Sequence, residues 1–165
     1  MFVPGPSQRA AVDRWFHDNF AARAELGASV SIWLHGEAWL NLVEGFTTRE
    51  QAQAWTFDTL VPVWSATKGP AAVACLMALH EAGLSLDAPV AEAWPEFGQS
   101  GKEGVTFAEL LSHRAGLCAL SQRVPITDFA AVVAALELQA PLWPNATVQA
   151  YHARTVGFLL DAIVR

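Results

Sequence analysis

The predicted elements run helix, hairpin, then mostly helices, and that order predicts an α+β fold (an α/β sandwich). Two further observations bound it. The 165 residues are enough for one core and, by size, one domain. A chain that is 53% hydrophobic and 16% charged has a globular rather than a disordered composition. The formal net charge of −6, with no clustered Lys/Arg patch, argues against a nucleic-acid surface. The longest apolar stretches, around residues 71–79 and 129–136, are too short to span a bilayer, so no transmembrane segment is expected. No basic segment followed by an apolar run opens the chain, so no signal peptide is read and a cytoplasmic location is expected.

Val12, Trp15, Phe16 and Phe20 recur at helical spacing and predict a helix over residues 10–26, which Gly27 can end. Ala28, Val30, Ile32 and Leu34 alternate with other side chains. Residues 39–43 form a second strand-like run, and residues 35–38 between them read as a hairpin turn. Residues 47–56 are a polar connection, and residues 59–64 return to strand character. Val73, Leu76, Met77 and Leu79 predict a helix over residues 71–82, closed by Gly83. Residues 84–90 read as a turn into a short helix that ends at residues 94–98. Thr106, with Glu109 three residues on, forms a capping box for a helix over residues 107–113, and Gly116 lies in the segment that breaks it. Thr127 or Asp128 can cap a helix from Phe129 to about Gln139, after which Pro141 and Pro144 force a loop. Residues 151–165 form a final apolar-periodic helix. No Gly, Asn or Pro follows to close it, so the chain is read as cut inside a domain. Cys75 is expected in the core. It and Cys118 fit no zinc or redox spacing, and nothing demands a disulfide. The seven tryptophans are read as packing residues.

Chemistry concentrates at Val63-Trp64-Ser65-Ala66-Thr67-Lys68-Gly69-Pro70, where the strand-like run opens into an apolar helix. A serine hydroxyl is a poor nucleophile until a base removes its proton. Lys68 is one turn from Ser65 and shares its face, so it can be that base if its pKa falls. The positive end of the helix dipole and burial beneath Trp64 and the Val73–Leu76 face would both lower it. The backbone N–H of Ser65 would supply half of an oxyanion hole. Pro70 disfavours helical dihedrals at Gly69, so residues 65–68 are expected in a tight 3₁₀-like turn that also places positions three apart on one side. The pattern alone is weak, because Ser-x-x-Lys recurs by chance on the order of once per few hundred residues. A Ser N-cap with a solvated Lys remains the alternative on local features.

Three segments together resemble the serine β-lactamase-like superfamily of class C β-lactamases, penicillin-binding D-alanyl-D-alanine peptidases and related esterases. Residues 64–69 are similar to its Ser-x-x-Lys turn. Leu110-Leu111-Ser112-His113-Arg114-Ala115-Gly116-Leu117 is similar to its Leu-Leu-Ser-His-x-x-Gly-Leu segment. Trp143-Pro144, followed by Tyr151-His152-Ala153 and Thr155-x-Gly157, looks like its second catalytic motif. Leu84-x-Leu86-Asp87-x-Pro89-Val90 adds a familiar turn. The matches run in the family's order from about Ala28 to Arg165. The resemblance implies a β-lactamase/penicillin-binding-protein-like transpeptidase fold, truncated, with residues 1–165 a partial domain that lacks the later strands. It implies Ser65 as the acylated nucleophile and Lys68 as its base. Tyr151 would be the phenol that passes a proton to the leaving group and helps activate the deacylating water. His113 resembles a scaffold residue whose ring bonds nearby backbone. His80 reads as solvated and His152 as a packing neighbour of Tyr151.

The departures shape the functional expectation. The family's Tyr-x-Asn is Tyr-His-Ala here, so Ala153 cannot donate the amide that Asn offers a β-lactam or peptide carbonyl. Esterase-like branches often carry this variant. Pro-Gly before the Tyr appears as Pro144-Asn145, and Asn tolerates a left-handed backbone. No Lys-Thr-Gly or His-x-Gly triplet follows Tyr151, and with it is missing the strand that supplies the second oxyanion donor. The expected activity is serine hydrolysis of small-molecule esters or amides through an acyl-enzyme, with no metal or organic cofactor. The alternatives are an inactive truncated module that binds ligand or partner without turnover, and a β-lactamase or D-alanyl-D-alanine peptidase. The hairpin over residues 28–43 would present an unpaired edge, so self-association and weak ester hydrolysis are expected of the chain as it stands.

Overall fold

The computed structural model describes residues 4–144 and 146–165, so the expected left-handed turn at Asn145 lies outside the described residues. The chain divides into two compact units, residues 1–62 and 63–165.

The first unit holds helix α1 (Pro6–Ala22) and an antiparallel pair, β1 (Gly27–Leu34) and β2 (Glu37–Gly45). Pro6 opens α1 at its first position, where the missing N–H costs nothing. The strands are joined by His35 and Gly36 alone, both at positive φ (53° and 84°), the backbone of a two-residue hairpin turn whose twist matches that of the strands. The register runs from Gly27 opposite Gly45 to Ile32 opposite Leu40, with an irregularity after Ile32. Gly45 sits at φ 91°, and a Cβ there would lie 2.2 Å from the carbonyl oxygen of Leu26, so this strand end requires glycine. Around α1 and β2, Phe16 and Phe20 meet edge to face, and the His17 ring bonds the Glu44 carboxylate.

Residues 59–64 form no strand. Their β-branched composition favours one, but Pro62 has no N–H to donate and the Thr59 N–H turns back to the Thr56 carbonyl at 3.2 Å. Strand propensity is realised only against a partner.

The second unit opens with a 3₁₀ turn (Trp64–Thr67) that runs straight into α2 (Lys68–Glu81). The tight turn expected before Pro70 is present. Pro70 falls at the third helical position, among the N–H groups that have no intrahelical partner anyway. Gly83 at φ 70° follows the end of α2. Two short 3₁₀ turns, Val90–Glu92 and Pro95–Phe97, lead to α3 (Phe107–Leu111). Both bonds of the capping box are made: Glu109 N–H to Thr106 Oγ1 at 3.2 Å, and Thr106 N–H to the Glu109 carboxylate at 2.9 Å. Asp128 caps α4 (Phe129–Leu138) through a 3.1 Å bond from Ala131 N–H. The last helix, α5 (Thr155–Val164), starts four residues later than periodicity suggests, because the Ala150 and His152 N–H groups bond His113 and the Ala153 N–H turns back to Tyr151. α5 packs against α2 and α4, and Leu79, Phe107, Leu110, Leu136 and Leu159 are among the buried core around them. Cys75 is buried there, and both cysteines are free. No helix among the described residues is long and apolar enough to cross a membrane.

Lys102 is a core residue that the sequence does not announce. Its side chain is fully buried, and its Nζ donates to the carbonyls of Gln99 (2.9 Å), Glu137 (2.9 Å) and Gln139 (2.6 Å). The last two close the C-terminal end of α4, where a cation is favoured by both hydrogen bonding and the helix dipole. Burial pushes the Lys102 pKa down, while Glu103 and Glu137 oppose that shift. Lys102→Met keeps the stem but takes the ammonium from the Glu137 and Gln139 carbonyls, while the Gln99 carbonyl keeps the residue-102 backbone N–H at 3.1 Å. It is expected to lower the unfolding free energy by about 2–3 kcal/mol, read from the shift in urea midpoint at constant slope.

Candidate active site

The site residues all belong to the second unit. Ser65 and Lys68 are placed by the 3₁₀ turn, which brings Lys68 Nζ within 3.1 Å of Ser65 Oγ. The turn begins at Trp64, held at φ 49°, a left-handed backbone that a bulky residue adopts only under constraint. The first hydrogen bond of the turn is Ala66 N–H to Val63 O at 3.1 Å, so the Ser65 N–H precedes it. Lys68 is half-buried, but not by the expected apolar roof: Trp64 is 85% exposed, Val73 55% and Leu76 41%. α2 buries Cys75 and Leu79 in the core and leaves Val73 and Leu76 exposed.

The third residue comes from far along the chain. Lys68 Nζ also donates to the backbone carbonyl of Ala153 at 2.9 Å, across 85 residues of sequence. The same Nζ lies 5.0 Å from the centroid of the Tyr151 ring. Hydrogen bonds with Ser65 first, then with Lys68, hold the Tyr151 phenol below its ordinary pKa, and the Lys68 charge adds to them. Ser65, Lys68 and Tyr151 are therefore brought together.

Tyr151 lies not on the helix that periodicity predicts but on an irregular segment tied to residues 112–117. The Ala150 N–H donates to the His113 carbonyl (3.1 Å), and the Gln149 side chain to the Ser112 carbonyl (2.9 Å). The His152 N–H donates to His113 Nδ1 (3.2 Å). His113, itself at φ 62°, meets the Tyr151 ring edge-on at 5.0 Å. His113 thus bonds backbone, as a scaffold residue should. His152 does more than the packing that the sequence suggests: it is fully buried, its Nδ1–H donates to Ala150 O (2.6 Å) and its Nε2 accepts from Leu117 N–H (2.9 Å). Thr155 Oγ1 completes the seam with a 2.6 Å bond to Leu117 O. His80 is exposed, as expected.

Two cavities flank Ala153. A larger one of about 520 Å³ is lined by Cys118, Leu120, Val124, Ile126 and Arg154 among others. A smaller one of about 160 Å³ is lined by Trp64, Lys68, Ala71, Val156 and Leu160 among others. Among the described residues no group of three or more His, Cys, Asp or Glu side chains could hold a metal ion.

The sequence matches the family model described as Beta-lactamase over residues 12–165. It is 32% identical to an esterase/beta-lactamase, LipL, of Mycobacterium tuberculosis (strain ATCC 25618 / H37Rv), over 158 residues that cover 94% of this chain and 37% of that protein. Among solved structures, a penicillin-binding protein homologue from Caulobacter crescentus superposes with a TM-score of 0.86 at 37% identity, covering 99% of this chain and 45% of that one. A family VIII carboxylesterase gives a TM-score of 0.86 at 34% identity, covering 100% and 45%. The fold is thus the mixed helix-and-strand fold of these proteins, and the chain spans less than half the length of each.

Burial first, and the nearby Lys68 charge second, hold the His113 pKa below its ordinary value. Burial also lowers His152, with the Ala150 carbonyl opposing and His113 adding. In the unfolded chain both titrate near about 6.5. Between that value and the lowered folded ones the unfolded chain binds more protons, so stability rises with pH. The contribution is complete above about 6.5 and lost as pH falls through the folded values. His17 has the opposite sign, since the Glu44 bond raises its pKa, so the measurement belongs in a His17→Gln background. The urea midpoint is expected to fall between about pH 7.5 and 5, less steeply in His152→Gln; a flat profile would contradict it.

Proposed function

From a chain that belongs to the β-lactamase family, we propose a serine hydrolase that acts on small-molecule esters or amides through an acyl-enzyme on Ser65. The observation that carries the reading is the double reach of Lys68, whose Nζ bonds Ser65 Oγ at 3.1 Å and the Ala153 carbonyl at 2.9 Å beside Tyr151. In this reading Lys68 takes the hydroxyl proton along that contact as Ser65 Oγ attacks the substrate carbonyl carbon. The tetrahedral intermediate expels its leaving group as the Tyr151 phenol protonates it. Lys68 then returns a proton to the phenolate. Water, activated by the same pair, attacks acyl-Ser65 and releases the acid. A phenol made more acidic by Ser65 and Lys68 suits the donor role. The Ser65 N–H supplies one oxyanion donor.

Ester substrates with small apolar groups are favoured over β-lactams. Ala153 offers a substrate no side-chain amide, and its own carbonyl is engaged by Lys68. The larger cavity beside it has apolar walls from Leu120, Val124 and Ile126. The contact between Ser65 and Lys68 favours a competent nucleophile over an inactive binding module.

In the full-length protein, p-nitrophenyl butyrate is expected to be turned over faster than nitrocefin at matched enzyme concentration. Faster nitrocefin turnover would refute the ester preference. Lys68→Arg keeps the charge but cannot deprotonate near neutral pH. It is expected to slow acylation by at least about two orders of magnitude, measured as the burst of p-nitrophenol. Near-native acylation in that variant would reduce Lys68 to a structural cation.

A further inference from the structure

We propose that His152 is a positioning residue for Tyr151: its buried imidazole, bonded to backbone at both ring nitrogens, sets the phenol beside Ser65 and Lys68. The proposal rests on the reading of Tyr151 as the proton carrier of the site. Packing does not hold the tyrosine, since Tyr151 is 54% exposed and its ring meets only the edge of His113 and the Lys68 ammonium among the ring contacts of the described residues. The backbone on either side must hold it. Ala150 is fixed twice, through its N–H to His113 O and its carbonyl to His152 Nδ1–H. His152 is fixed through its own N–H, on His113 Nδ1, and through its ring, on Leu117 N–H. A single residue strung between two such anchors keeps little freedom. Ala153 N–H then closes a tight turn on Tyr151 O at 3.0 Å, which presents the Ala153 carbonyl to Lys68.

The two ring bonds also specify one protonation state. A nitrogen facing a carbonyl must carry hydrogen, and a nitrogen facing an N–H must not, so His152 is the neutral Nδ1–H tautomer. His113 must likewise leave Nδ1 bare to accept from His152 N–H. Among the described residues, the Lys68 charge acts on His113 and His113 on His152, and the Tyr151 ring meets His113 edge-on. Leu or Phe at position 152 could fill the space but would abandon the Leu117 N–H and the Ala150 carbonyl inside the protein.

Tyr151 is the sole tyrosine of the 165 residues, so its phenol can be read without turnover. With ¹³C at the tyrosine ζ carbon, the chain gives one resonance whose pH titration reports the site. The native phenol is expected to titrate below the ordinary tyrosine value of about 10. His152→Phe should move the titration up to that value with the circular dichroism spectrum unchanged. His152→Gln, which keeps an acceptor for Leu117 N–H, should stay close to native. If His152→Phe does not fold, the comparison passes to His113→Leu, which loses the acceptor for His152 N–H, against His113→Asn, which restores one; the first should titrate high and the second near native. A folded His152→Phe or His113→Leu whose phenol titrates as in the native chain would overturn the positioning role while leaving the Ser65-Lys68-Tyr151 reading intact. A native phenol that titrates like free tyrosine would overturn both.

Discussion

One side-chain nitrogen joins the two halves of this site. Lys68 Nζ donates to Ser65 Oγ, three residues away, and to the Ala153 carbonyl, 85 residues away. The first bond is local and follows from the 3₁₀ turn, which puts positions three apart on one side. The second is not local, and it makes demands on everything that places Ala153. The carbonyl must face α2, so residues 150–153 must leave the helix that their apolar periodicity would otherwise extend. Their backbone polar groups then need partners elsewhere, because buried N–H and C=O groups are costly when unpaired. His113 takes the Ala150 and His152 N–H groups, and the His152 ring takes the Ala150 carbonyl.

That arrangement explains why two imidazoles gather beside Ser65 and Lys68 and bond to backbone. An imidazole in one tautomer offers a donor and an acceptor about a ring-width apart, which is what a carbonyl and an N–H from two crossing segments require. His152 makes both bonds while fully buried, and His113 presents an acceptor to the next N–H. Both must stay neutral, and burial near Lys68 favours that state. The left-handed backbone at Trp64 and at His113 belongs to the same logic. Each adjoins the site at positive φ, 49° at Trp64 and 62° at His113.

What the sequence made legible is what depends on neighbours. The capping box at Thr106 and Glu109, the Asp128 cap and the pairing of Ser65 with Lys68 all involve residues three apart, and each is present. The hairpin was readable from its alternation, though its turn is tighter than expected, at His35 and Gly36 only. What stayed hidden depends on distant partners. Nothing in the local sequence around Lys102, between Gly101 and Glu103, points to burial, since two of its three carbonyl partners lie 35 and 37 residues on. His152 finds Leu117 35 residues back. The strand expected over residues 59–64 failed for the converse reason, since its composition suits a sheet but Pro62 interrupts the ladder.

If Ser65, alone among the serines, is the nucleophile proposed above, a fluorophosphonate should label it and peptide mass spectrometry should find the label. One adduct is expected, on the peptide that contains Ser65, and none once Tyr151 and Lys68 are replaced together by Phe and Met. An adduct on Ser112 or Ser121 with Ser65 unmodified would contradict that proposal.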